Sequence, residues 1–196
     1  MRLLLIRHAD PAEEARGRCY GSLDVGLSGH GREQARELAG ALAGTRLDAV
    51  YASPRRRALE TAAALVPEPI VDERLRELDF GEFEGRTYEE IAESHPDVYR
   101  RWMETPTEVR FPGGESYAEL RSRALDAAAE LRARHAGATV AAVTHGGVVR
   151  AIVADALGMP DAAIFRLGQD YGAVTALDWI DGVPVLRLLN GPASAL

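Results

Sequence analysis

Cysteine is nearly missing: one residue, Cys19, in a chain of 196. No internal disulfide and no four-cysteine zinc site can form. Long apolar runs are missing as well. The opening run, Met1 to Ile6, meets Arg7 and His8 at once and is too short for a signal-peptide core or a membrane span. Positive charge is in deficit, 23 basic against 30 acidic residues giving −7. That balance argues against nucleic acid or an anionic membrane as a main partner. No repeat, low-complexity tract or linker breaks the chain. The expectation is a reduced, cytoplasmic protein with a single domain over residues 1–196. At 46% hydrophobic it can bury a core without staples.

What is present alternates in type. Leu3 to Ile6 is a continuous apolar run, as in a strand buried on both faces. Ala35, Leu38, Ala39 and Leu42 recur at helical spacing up to a stop near Gly44. Asp48 to Ala52 reads as a second strand, and Pro54 suits the first turn of a helix reaching Val66. Ile70-Val71 is a short third strand. Thr87 with Glu90, and Ser116 with Glu119, have capping-box spacing. Val140 to Val143 is another buried strand, followed by a helix over Gly147 to Leu157. The end, Ala173 to Ile180 and Val183 to Leu189, reads as a hairpin turning at Asp181-Gly182. The implied fold is α/β, a mostly parallel central sheet with helices on both faces. A helical insert, about residues 86–115, covers the carboxyl edge of the strands as a lid.

Ligands of open α/β sheets bind outside the carboxyl ends of the strands. The first strand runs into Arg7-His8, the second through Ser53-Pro54 to Arg55-Arg56-Arg57, and the fourth into Thr144-His145-Gly146-Gly147. Parallel topology brings two histidines and at least two arginines to one edge. Arginine forks recognise phosphate and keep their charge. A histidine among arginines stays neutral, which leaves a ring nitrogen free to attack phosphorus. The amides of Gly146-Gly147, opening a helix, add donors for an anion. Other phosphatase chemistries lack their residues. Val25 stands where a cysteine phosphatase needs arginine after Cys19. Asp178 and Asp181 have the wrong spacing for an aspartyl phosphate. Gly26 to Arg32 lacks the P-loop lysine, and no histidine pair has metal-ligand spacing. A metal-free, cofactor-free histidine mechanism remains.

These motifs resemble the histidine phosphatase, or phosphoglycerate mutase-like, superfamily. Arg7-His8-Ala9 is similar to its Arg-His-Gly signature. In the family's order follow Leu27 to Ala35, Ser53 to Ala62, Arg76 to Gly85, Pro112 to Ser116 and Thr144 to Val148. The resemblance implies that His8 accepts the phosphoryl group as a phosphohistidine. It implies further that Arg7, Arg57 and His145 bind the phosphoryl oxygens and that Glu77 is the proton donor. Ala9 departs from the usual glycine. Glu14 stands where many members have a phosphate-touching asparagine, and it is expected to point away. Within the superfamily the sequence most resembles α-ribazole phosphatases of cobalamin biosynthesis, through Cys19 to Asp24, the short insert and the tail. The implied activity is a phosphomonoesterase on a small phosphorylated metabolite. Its alternatives are a phosphoglycerate mutase, a broad-specificity phosphatase, or a non-catalytic binding protein on the same fold. Only 35 positions separate Glu77 from Pro112, short for a mutase lid, so hydrolysis is favoured.

Blander readings apply to the neighbours. Arg55 and Arg56 read as solvated, as do Asp72, Glu73, Asp79, Glu82 and Glu84 beside Glu77. His30, His95 and His135 read as surface residues, Tyr88 and Trp102 as packing residues, and Glu115 as a first-turn helix acid with a chance of touching the pocket. The exposed hairpin edge leaves a homodimer open.

Overall fold

The computed structural model describes residues 1–196. Six strands form one sheet: β1 (Arg2–Arg7), β2 (Ala49–Ala52), β3 (Ile70–Val71), β4 (Thr139–Thr144), β5 (Val174–Ile180) and β6 (Val183–Gly191). Their spatial order is β3-β2-β4-β1-β5-β6. The first four in that order run parallel, and β5 and β6 are antiparallel additions beyond β1. β1 and β4 are the central pair, and residues 3–6 and 140–144 of these strands are buried. Their unbroken apolar runs reflect cover on both faces.

That cover comes from four helices. Leu4, Ile6, Val50 and Val143 point toward α1 (Gly29–Leu42) and α2 (Arg56–Ala63). Leu3, Leu5, Val140, Ala142 and Leu177 point toward α5 (Tyr117–Arg134) and α6 (Gly146–Ala156). The alternation along β1 follows from the period of two. Between them, α3 (Tyr88–Ser94) and α4 (Pro96–Glu104) build a separate small core. There Phe83, Ile91, Val109 and Phe111 are buried against Trp102. No helix is long and apolar enough to cross a membrane.

Local signals placed most element ends. Ser28 caps α1, and complete capping boxes at Thr87–Glu90 and Ser116–Glu119 start α3 and α5. The hairpin turns at Asp181 and Gly182, with φ of 51° and 83°, the left-handed pair that a tight two-residue turn demands. One start differs from expectation. Pro54 lies outside α2, which begins at Arg56. The cap is tertiary: Asp24 accepts from the Arg56 amide at 2.8 Å, and the Val25 carbonyl from the Arg57 amide at 3.1 Å. The segment after Cys19 therefore fixes where α2 begins and, with it, where Arg57 stands.

Leu177 is fully buried at the centre of the larger core. Leu177→Ala should lower stability by about 2–5 kcal/mol, the usual cost of a leucine-sized void. Thermal melting against the unchanged chain checks this.

Candidate active site

The carboxyl ends of β1, β2 and β4 carry, in turn, Arg7-His8, Ser53 and Thr144-His145. The parallel register places Arg7 beside Thr144. The two imidazoles consequently lie 5.1 Å apart between centroids, inclined at 61°. His8 Nδ1 lies 2.8 Å from the Ala9 carbonyl, which makes Nδ1 the protonated nitrogen and leaves Nε2 with a free lone pair. His145 Nε2 is 2.7 Å from Ser53 Oγ, while its Nδ1 has no partner. Ala9 fits without strain on this backbone: it is fully buried, and its amide donates to Thr61 Oγ1 at 3.0 Å.

Arg57 is fully buried. Its Nη atoms donate to the carbonyls of Leu23, Tyr20 and Gly21, which leaves Nε orphaned. Arg7 donates through Nη1 to the Gln169 carbonyl, and its Nε is likewise orphaned. Two buried donors, Arg7 Nε and Arg57 Nε, thus lack acceptors beside His8, and His145 Nδ1 lacks a partner. Both imidazoles are pushed well below the ordinary histidine range. Burial is the larger cause, and Arg57 the next for each. Neutrality was expected from the arginines; desolvation outweighs them.

Glu77 sits on an irregular segment between two short 3-10 turns. Its Oε2 accepts from the Gly147 amide at 3.1 Å and its Oε1 from the Leu78 amide at 2.9 Å. The Gly147 amide was expected to serve an exogenous anion. Instead the carboxylate of Glu77 occupies it, because a carboxylate is the natural ligand of a helix start. A Cβ on residue 147 would lie 2.3 Å from Glu77 Oε1, so only glycine admits this approach. Behind the segment, Arg123 of α5 donates to the carbonyls of Arg74, Arg76 and Glu77. Glu115 neutralises Arg123 at 2.7 Å and Arg76 at 2.6 Å. Glu115 is therefore a brace and not a pocket residue. Glu84, expected in solvent, instead gathers the amides of Gly21, Ser22, Leu23 and Phe80 on its carboxylate. It joins the loop after Cys19 to the Glu77 segment. Asp72 is also tied down, by Arg74 at 2.7 Å.

Arg7, His8, Arg57 and Glu77 line one hollow of about 230 Å³; His145 packs edge-on behind His8 and is not in its wall. Other residues around the site had no assigned role in the sequence. Tyr20 and Tyr171 share a hydrogen bond of 2.5 Å. Tyr20 lies 5.1 Å from the Arg57 guanidinium, and Tyr171 lies 4.0 Å from that of Arg7. No local pattern marks a pair 151 positions apart. Arg150 also lines the hollow. Its signal was available: the fifth residue of a helix leans back toward the N-terminus, here toward the strand ends. Arg18 lines the hollow, and Tyr88 lines it while stacked on Trp102 at 5.5 Å and 25°. Tyr88 thus does more than pack. Glu14 is exposed and lines a different surface hollow, away from His8. His30 is exposed, but His95 packs on Phe83 at 5.0 Å and His135 meets the Tyr51 hydroxyl at 3.0 Å, so these two are half-buried. Arg56 is exposed as expected, whereas Arg55 is half-buried with Nε orphaned.

Known proteins resemble this chain in sequence and in fold. Phosphoserine phosphatase 1 of Hydrogenobacter thermophilus is 36% identical over 97% of this chain and 92% of its own length. The α-ribazole phosphatase of Shigella flexneri superposes with a TM-score of 0.89 at 27% identity, over 98% of this chain and 97% of that one. A mycobacterial glucosyl-3-phosphoglycerate phosphatase superposes with a TM-score of 0.86 at 31% identity, over 97% and 98%. The family description for the histidine phosphatase superfamily, branch 1, matches residues 3–192. With nearly the whole length matched in sequence and in fold, the chain belongs to that superfamily and is a phosphatase.

Proposed function

We propose that this phosphatase hydrolyses a small phosphorylated metabolite through a phosphohistidine on His8, without metal or cofactor. The observation that carries the reading is the set of buried donors without acceptors around a histidine whose outward nitrogen is free. Arg7 Nε and Arg57 Nε, on residues that both line the hollow, suit oxygens of one tetrahedral anion. Arg7 and Arg57 hold the phosphoryl oxygens and His145 donates from Nδ1. His8 Nε2 forms a bond to phosphorus as the ester P–O bond breaks in line. Glu77, which must enter the cycle protonated, gives its proton to the departing oxygen; as a carboxylate it then takes one from the water that attacks phosphorus, so that the phosphorus–nitrogen bond breaks, phosphate leaves and both His8 and Glu77 are restored. Monoester hydrolysis demands a barrier reduction of up to about 20 kcal/mol or more. Fixed charges on the equatorial oxygens supply most of such a reduction. Dividing one displacement into two supplies more.

For the leaving group, the favoured substrate is a nucleoside-5′-phosphate-like ester, with α-ribazole 5′-phosphate as the specific candidate. Supporting it are the aromatic rings of Tyr20, Phe80 and Tyr88 on the hollow and the likeness to the Shigella enzyme. A cytoplasmic setting belongs to this reading. Phosphoserine is the second reading, favoured by the Hydrogenobacter relative. Specificity constants for α-ribazole 5′-phosphate, phosphoserine, 3-phosphoglycerate and simple aryl esters decide between them. A flat profile across the panel would favour a generalist, and phosphoryl transfer between positions of phosphoglycerate would mark a mutase.

His8→Ala should abolish turnover and leave the circular dichroism of the fold unchanged; residual hydrolysis at the wild-type rate would remove the scheme. Glu77→Gln should slow alkyl phosphates far more than aryl phosphates, whose leaving groups need little protonation. Equal losses on both would exclude Glu77 as the acid. Since both histidines are held below their ordinary range, the unfolded chain binds protons that the native state refuses. Stability is therefore retained above about pH 6.5 and lost as pH falls below it, at most about 1.4 kcal/mol per pH unit for each histidine. Melting curves between about pH 7 and pH 5 should show a shallower decline for His8→Ala than for the unchanged chain.

A further inference from the structure

The hollow at His8 carries four guanidiniums, those of Arg7, Arg18, Arg57 and Arg150, against one carboxylate, Glu77. They differ in what engages them. Arg57 has its Nη atoms on three carbonyls, and Arg18 donates to the Gly85 carbonyl at 2.6 Å and lies 3.9 Å from Glu90. Arg150 is held only by its root. Nε donates to the Leu167 carbonyl at 3.0 Å, and the guanidinium lies 5.4 Å from the Phe165 ring. Neither Nη atom has a protein acceptor, and neither is sealed from solvent. A structural arginine in this molecule looks different: Arg123 places both Nη atoms on backbone carbonyls and Glu115.

The direction of Arg150 is equally informative. A Cβ built on Gly146 would lie 3.0 Å from Arg150 Nη1 and 3.8 Å from Arg7 Nε. Two guanidiniums, both from residues lining the hollow, therefore converge on one point beside Gly146. Like charges at that range repel; Glu77 lines the same hollow and acts on Arg150 more strongly than Arg7 does, but it forms no ion pair with either guanidinium. An anion with oxygens facing both relieves the repulsion and satisfies the orphaned Arg7 Nε.

We propose that Arg150 is a further phosphoryl-binding residue, a third guanidinium that shares with Arg7 the oxygen on the Gly146 side. The proposal rests on the phosphohistidine reading for its catalytic meaning, but its binding content stands by itself. In the transition state the same contact stabilises charge on an equatorial oxygen.

The test titrates inorganic orthophosphate calorimetrically into the intact protein, R150A and R150K, with melting curves for each. R150A should bind orthophosphate about 10- to 100-fold more weakly, the range for a lost hydrogen bond to a charged group. R150K should recover part of that loss, keeping the charge without the fork. The specificity constant of R150A should fall by a similar factor for phenyl phosphate and for phosphoserine. Orthophosphate binding by R150A equal to that of the unchanged chain overturns the proposal. So does a loss confined to phosphoserine, which would place Arg150 on a carboxylate of the leaving group. Should R150A melt early, R150K and R150Q carry the same comparison. An unchanged chain that binds orthophosphate through Arg150 yet hydrolyses no monoester would remove the phosphohistidine reading and leave this one standing. Active enzyme with an Arg150-independent phosphate affinity would do the reverse.

Discussion

Cationic and polar donors are held together here in a buried place where the protein provides almost no anion. Desolvation and mutual repulsion both oppose that arrangement, and both imidazoles respond by staying neutral. The arginines cannot respond in that way. All 23 basic residues of the chain are arginine, and a guanidinium keeps its charge under any condition in which the protein folds. The surrounding structure must therefore hold Arg7 and Arg57 in place by other means. Backbone carbonyls of residues 20, 21, 23 and 169 do so, aided by the two tyrosine rings.

Much of the rest of the molecule follows from that demand. The loop after Cys19 supplies carbonyls to Arg57, and it is itself tied to the Glu77 segment by Glu84. The Glu77 segment is tied to α5 by Arg123 and Glu115, and to α6 by the Gly147 amide. Each tie is a buried or half-buried ion pair or charged hydrogen bond, the kind that costs most when one partner is lost. Acidic residues near the site thus divide into Glu77, which lines the hollow, and the braces Glu84 and Glu115, which do not. The net charge of −7 makes the cationic hollow a local exception to the molecule's own field, which suits capture of a small anion over a polyanion.

The sheet, its hairpin and the helix starts were legible because they rest on short-range physics. Period-two and period-3.6 patterns, two capping boxes and the Asp181-Gly182 turn act within a few positions of themselves. The strand-end residues were legible for a related reason, since parallel topology makes their convergence a geometric consequence. Where α2 begins was not legible, because its cap is Asp24 from another loop. The fates of Glu84, Glu115, His95 and His135 were misjudged for the same reason: a charged or polar side chain looks solvated until its partner's position is known.

From the chain alone came the α/β architecture, the histidine phosphatase motifs and the set of Arg7, His8, Arg57, Glu77 and His145. All but Arg57 and Glu77, which the family resemblance singled out from their charged neighbours, are written in local spacing and in residue chemistry. Folding added what depends on separation in space: which ring nitrogen of His8 is free, which donors are left without acceptors, the tyrosine bridge across 151 positions, and the convergence of Arg150 on Arg7. No pattern along the chain encodes those, because each is a distance between segments that only the packed sheet and its helices bring together.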